Sequence, residues 1–169
     1  MIRTVLIIGT DHRFQMRSPE FTNEQHDCFS TFVVTTALAN KAFALAEENN
    51  YQALAEAGLR ESTVQIIAHK LGLKHFYCDP DRQQRSDLGI QQENDLRVTA
   101  FFKKLADSIV QEKIDESMRR RERFWLAKIL EQNVWPTVFI CGANHSLAFL
   151  DLLGKNNINA TLVAQDWIV

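Results

Sequence analysis

Ile2-Arg3-Thr4-Val5-Leu6-Ile7-Ile8-Gly9-Thr10-Asp11-His12 decides the fold: a nearly continuous, largely β-branched apolar run empties into Gly-x-x-His. A run with no polar alternation is expected of a strand covered on both faces, and so of a parallel sheet with helices on either side. The segment is therefore read as the central strand of an α/β domain, delivering His12 to one sheet edge. The pattern recurs at Val138 to Cys141, which leads into Gly142-Ala143-Asn144-His145. With only six glycines and five histidines in 169 residues, the strand context makes the repeat informative. A third match, Gly72 to His75, is read as structural, because Gly72 closes a helix and His75 opens the next strand at the opposite edge.

Working outward, strands and helices alternate without repeats, low-complexity tracts or linkers, as in an α/β fold. Thr22-x-x-Gln25 caps a helix whose Phe29, Phe32, Val33, Thr36, Ala37 and Asn40 form one stripe. Ala42 to Ala46 is a second strand, ending in the polar cluster Glu47-Glu48-Asn49-Asn50. Ser62-x-x-Gln65 opens a helix with Val64, Ile67, Ala68 and Leu71 buried, and Leu73 to Cys78 is a third strand. Asp79-Pro80-Asp81-Arg82-Gln83-Gln84-Arg85 then reads as a chemically rich loop. From Glu93 to Gln132 the chain is helix-forming, as two bent helices or one long one. Thr137 to Cys141, His145 to Leu153 and Ala160 to Ala164 complete a strand, helix and last strand. A single domain spanning 1–169, with a mostly parallel sheet of about five strands covered on both faces, is expected.

Composition narrows the function classes. At 46% apolar and 24% charged residues, with net charge −2, the chain has neither the bulk positive charge of a nucleic-acid binder nor an apolar stretch of membrane-spanning length. No nucleic-acid or membrane partner is expected. Cys28, Cys78 and Cys141 read as reduced, buried thiols of a cytoplasmic protein. Arg119 to Arg123 is a charged helix face from which at least two arginines point outward. Trp125 reads as core, His26 and His69 as structural, and Phe101, Phe102, Trp135 and Trp167 carry no functional signal. A homodimer is allowed, because so small a sheet leaves edges to cover.

The order Gly-x-x-His, strand-end Glu, Asp-x-Asp-x-x-x-Arg, Arg-Glu-x-x-Trp and again Gly-x-x-His resembles the TraB/Tiki proteins. The broader group around them includes the pheromone-shutdown (PrgY) proteins, erythromycin-esterase-like enzymes and haem-binding ChaN-like proteins. The resemblance maps His12 and His145 onto the two motif histidines, and Glu47 or Glu48 onto the acidic residue after the second strand. Asp79 with Arg82 or Arg85, and Arg121-Glu122-x-x-Trp125, match the remaining motifs. The chain departs from many relatives in reading Gly142-Ala143-Asn144-His145-Ser146 where Gly-x-Gly-His-Leu is usual.

Loops after the carboxyl ends of parallel strands converge on one crevice, so these residues are expected to meet there. Two imidazoles and one or two carboxylates, His12, His145, Glu47 and Asp79, suit a divalent metal such as Mn, Co or Zn, which acidifies bound water. Tiki-like relatives are regarded as metal-dependent proteases. Without a metal, a histidine oriented by a carboxylate takes a proton from water, as the esterase relatives are thought to do. Arg121 would then stabilise an oxyanion or hold an anionic substrate. Glu122 is expected to act as acid or base, or to hold a ligand histidine. Asp11, Gln15, Arg82, Arg85 and Asn144 are candidate substrate contacts, with Asp11 also a candidate metal ligand or orienter of His12. The reading is a hydrolase acting on an amide, ester or related bond of a small molecule or peptide. The alternatives are a ligand-, peptide- or haem-binding module and an interaction protein on the same fold.

Overall fold

The computed structural model describes residues 2–168. Five strands, β1 (Thr4–Thr10), β2 (Ala44–Glu47), β3 (Lys74–Tyr77), β4 (Thr137–Gly142) and β5 (Asn159–Trp167), form one sheet in the order β3-β2-β4-β1-β5. Every pairing is parallel. The α/β architecture expected from the sequence is therefore present, with one correction: β4 takes the central place expected of β1. Both strands are almost wholly buried, so their composition could not rank them.

Strand alternation divides the core into two layers. Val5, Ile7, Ala46, Phe139 and Cys141 face one side and pack with Trp125, Ile129, Phe149 and Leu153 of α7 (Asp107–Gln132) and α8 (Ser146–Lys155). Leu6, Ile8, Leu45, Val138 and Ile140 face the other side, against α2 (Asn23–Ala39) and α4 (Thr63–Leu71) through Phe29, Val33, Val64 and Ile67. Burying each large apolar side chain contributes about 1.5–3 kcal/mol before chain entropy is set against it.

Local chemistry fixes the helix ends. Thr22 accepts from the Gln25 N–H while the Gln25 side chain accepts from the Thr22 N–H, the reciprocal box expected at α2. At α4, Ser62 accepts from the Gln65 N–H, but the Gln65 side chain turns away and accepts from the Tyr77 hydroxyl. Gly72 closes α4 in the left-handed conformation, at φ 67°. The stretch after Glu93 resolves into α6 (Glu93–Lys103) and α7, with Lys104 left-handed at the break. α6 and α7 share a small core of Leu96, Ala100, Val110 and Ile114, separate from the two sheet layers.

Three short helices were not foreseen. α1 (His12–Gln15) is capped by Asp11, and α3 (Tyr51–Glu56) by Asn50. α5 (Arg82–Asp87) occupies part of the expected loop, because Asp81 and Gln84 form a second capping box. Cys78 and Cys141 are buried, whereas Cys28 is exposed on α2, contrary to expectation. Among the described residues, no helix is long and apolar enough to cross a membrane.

Candidate functional site

β2, β4 and β1 are neighbours in the sheet, so the segments after their carboxyl ends emerge side by side. These segments carry Glu48, His145 and His12. The chain leaves β1 through Asp11, whose side chain caps α1 and accepts from the Arg13 N–H. It leaves β4 through a 3-10 turn, Ala143–His145, that leads into α8. Beside them opens a cavity of about 550 Å³, lined by His12, Arg121, Gly142, Asn144 and His145 among others.

Glu48 is the hub. Its side chain is fully buried, with His12 Nε2 3.3 Å from Oε2 and His145 Nε2 3.8 Å from Oε1. The Gly142 N–H donates to Oε2 at 2.7 Å. Arg121 NH1 lies 2.8 Å from Oε1 but outside hydrogen-bond geometry, leaving that oxygen without a hydrogen bond among the described residues. Both motif glycines have steric reasons. A Cβ on Gly142 would sit 2.6 Å from His12 Nε2, and one on Gly9 would sit 2.0 Å from the Gln165 carbonyl oxygen in β5.

Each imidazole is held from behind. His145 Nδ1 is 2.8 Å from Glu122 Oε1 on α7, and His12 Nδ1 is 2.9 Å from Gln15 Oε1. A carboxylate only accepts, so a neutral His145 ring carries its proton on Nδ1 and presents its other nitrogen, Nε2, to Glu48. Glu122 is buried and its Oε1 faces His145 from the side away from Glu48. Trp125 is wholly buried and packs edge-on against His145, its ring centroid 4.9 Å away.

Several candidate positions are revised. Glu47, counted as catalytic and as a metal ligand, points to the opposite sheet face, because consecutive strand residues alternate. There it accepts from Ser62 Oγ and from Gln15 Nε2 at 3.1 Å, and it pairs with His75 Nε2 at 2.8 Å. Asp79 has no oxygen left for a metal. Oδ1 accepts from Arg121 Nε at 2.5 Å and Trp125 Nε1 at 3.0 Å, and Oδ2 from Arg85 at 2.5 Å. Burial opposes ionisation of Asp79, but bonds and charges from Arg121 and Arg85 outweigh it and hold its carboxyl below the usual range.

Arg121 lines the cavity, but Asp79 and Glu48 already hold it, so it is not an unengaged anchor for an anion. Its charge is locked in, since those carboxylates outweigh the burial that disfavours it. Gln15 is buried and bonds to His12 and Glu47 rather than facing the cavity. Arg82 is 79% exposed and pairs with Glu56, away from the cavity. Arg85, Asp11 and Asn144 do line it. Arg119, Arg120 and Arg123 pair with Asp115 and Glu116 along the exposed side of α7, which leaves Arg121 as the inward member of the run. Of the two glutamates left open by the sequence, Glu48 is the one that faces the histidines, while Gln15, expected to contact substrate, and Gly142 take places the sequence did not assign them. Spacing signalled the last two: Gly142 belongs to the motif, and Gln15 lies three residues from His12, on the same helix face.

No family model, curated protein or solved structure matches the chain.

Proposed function

We propose that this protein is a hydrolase of the TraB/Tiki type, activating water at His12, Glu48 and His145 against an amide, ester or related bond. One observation carries the reading. A buried carboxylate, ion-paired to Arg121 at 2.8 Å, has one oxygen without a hydrogen bond that faces the Nε2 atom of His145 at 3.8 Å, at the edge of an open cavity. With a neutral His145 ring the two atoms are both acceptors and repel, which Arg121 offsets from one side only. Such a pair is poised to receive a proton from water or a positive ion.

The donor set fits a divalent metal such as Mn, Co or Zn: two imidazole nitrogens and one carboxylate, with His145 supported from behind by Glu122. Among the described residues, no group of three His, Cys, Asp or Glu side chains is drawn in to ligand spacing, so the fit is one of chemistry rather than distance. When bound, such an ion lowers the pKa of coordinated water.

The chain's own residues account for the remaining steps. His12, 47% exposed at the mouth, takes the proton from water at Nε2 and returns it to the leaving nitrogen or oxygen. Glu48 stabilises the imidazolium formed in between. Arg121 holds Glu48 in place and offsets its charge. With both guanidinium groups of the wall already paired, the cavity favours an uncharged acyl group over an anion. Gln91, Asn94 and Asn144 offer amide contacts, and Ile90, Ile114 and Met118 an apolar wall.

The test is a screen of neutral ester and amide substrates, with and without added Mn, Co or Zn, on protein analysed for metal. Turnover in the wild type that falls at least a hundredfold in Glu48→Gln and His145→Ala is the expected result. Turnover unchanged in both variants would sink the reading. Ligand binding without turnover would favour a binding module, and intact stability without metal, ligand or turnover an interaction protein.

A further inference from the structure

Behind His12 runs a buried polar chain that the hydrolytic scheme does not use. We propose that Gln15 is the positioning residue that sets which nitrogen of His12 carries the proton, and that Glu47 sets the orientation of Gln15. This deepens the proposed function and rests on His12 acting there through Nε2.

The chain of constraints starts at Glu47, fully buried at the end of β2. It already accepts from Ser62 and faces His75, and its Oε2 lies 3.1 Å from Gln15 Nε2. The second neighbour of that nitrogen is the Ile140 carbonyl oxygen, at 3.5 Å. Both are acceptors, so the NH2 end of the Gln15 amide must face them. A buried amide turned the other way would set oxygen against oxygen, at the desolvation cost of unpaired polar groups, on the order of 1–3 kcal/mol.

With its nitrogen fixed, Gln15 has only its carbonyl oxygen to present to His12 Nδ1, 2.9 Å away. The Nδ1 position must therefore hold the proton. The lone pair is left on Nε2, which faces Glu48 and the cavity. The two imidazoles thus reach the same state by different supports: a carboxylate behind His145, and behind His12 a neutral amide with a carboxylate behind it. A neutral support holds the ring without adding negative charge next to a half-exposed base.

His75 and Ser62 belong to the same device. β2 and β3 pair with Leu45 opposite His75 and Glu47 opposite Tyr77, so all four side chains lie on one sheet face. His75 thereby reaches Glu47 diagonally. Ser62 both caps α4 and donates to Glu47, which ties that carboxylate to the helix start. The third Gly-x-x-His match thus ends in a histidine that holds the support of the first.

The decisive measurement is the ring-nitrogen NMR spectrum of the full chain after chelator treatment, near pH ~8.5, where an unperturbed imidazole is neutral. His12 is expected to show a protonated Nδ1 and an unprotonated Nε2. Gln15→Met, which has no acceptor of comparable strength, should shift His12 toward Nε2–H and leave His145 unchanged. Gln15→Glu keeps an acceptor for Nδ1 provided one proton is shared between its carboxyl and Glu47, since two buried carboxylates in contact do not both ionise, and in that form it should keep Nδ1–H. Where a substrate has been found, Gln15→Met should lower kcat about 10- to 100-fold at unchanged KM, with Gln15→Glu recovering most of the loss. A wild-type His12 protonated on Nε2, or an unaltered spectrum in folded Gln15→Met, overturns the proposal. If Gln15→Met does not fold, the wild-type and Gln15→Glu spectra decide alone. The spectrum needs no substrate, so a correct tautomer in a protein that hydrolyses nothing would sink the hydrolase reading and leave this one standing.

Discussion

Glu47 and Glu48 carry the same functional group, and only the alternation of an extended chain sends them to opposite faces. Glu47 shares its face with Leu45, above the layer formed by α2 and α4; Glu48 shares its face with Ala46, under α7. Their substitutions should therefore part cleanly. Glu47→Ala removes the acceptor of Ser62, Gln15 and His75, and should lower stability by about 2–4 kcal/mol in urea unfolding. Glu48→Gln keeps its size and leaves Arg121 bound to Asp79. It should spare most of the stability and abolish turnover. The reverse pattern would reassign the hub. Gly142 gives a second residue-scale prediction. In Gly142→Ala the new methyl meets the tip of a movable imidazole, so the fold should persist while His12 is displaced and turnover falls about a hundredfold. Gly9→Ala meets backbone instead, and should cost stability by about 1–3 kcal/mol or more, read as a lower midpoint in the same unfolding assay.

At the level of elements, legibility followed the strength of the local signal. Buried strands announce themselves as apolar runs, and α2 and α4 through caps followed by a stripe, so sheet and main helices could be read directly. α1, α3 and α5 are four to six residues long, too short for any periodicity, and their caps look like ordinary turn residues. The site was legible as residue types but not as directions. Nothing local in Ala-Leu-Ala-Glu-Glu says which glutamate faces which layer, since both faces of β2 are apolar. Nor could Asp79 be seen as saturated, because its partner Arg121 arrives from 42 positions away. The α6–α7 hairpin makes an element-scale prediction. Its private core of four buried residues should open independently of the sheet. Leu96→Ala should speed amide hydrogen exchange in α6 and the first turns of α7, while β1 and β4 keep wild-type protection. Equal loss of protection in the sheet would show that hairpin and sheet unfold as one unit.

For the molecule as a whole, the order β3-β2-β4-β1-β5 does the assembling. It seats the carboxyl ends of β2, β4 and β1 side by side, and α7 crosses above them to supply Arg121, Glu122 and Trp125 from one helix face. Asp79, beyond the end of β3, clamps this arrangement by accepting from Arg121 and Trp125 of α7 and from Arg85 of α5. One buried carboxylate thus joins the sheet end to two helices, and its ionisation should be visible in global stability. Its carboxyl is held below 3.8 in the folded chain, where burial is outweighed by the guanidinium groups. The folded state therefore binds this proton less readily than the unfolded chain does. The contribution is complete above the unfolded value of about 3.9 and drains away as pH falls through the lower, folded value. Asp79→Asn should be less stable than wild type by about 3 kcal/mol at neutral pH, the order expected for breaking a buried pair. The gap should be constant above about pH 5 and narrow below about pH 4, as the wild type loses what the variant never had. Urea midpoints measured from pH 7 to pH 2 provide the check. Two curves that stay parallel through that range would mean that Asp79 is not the clamp.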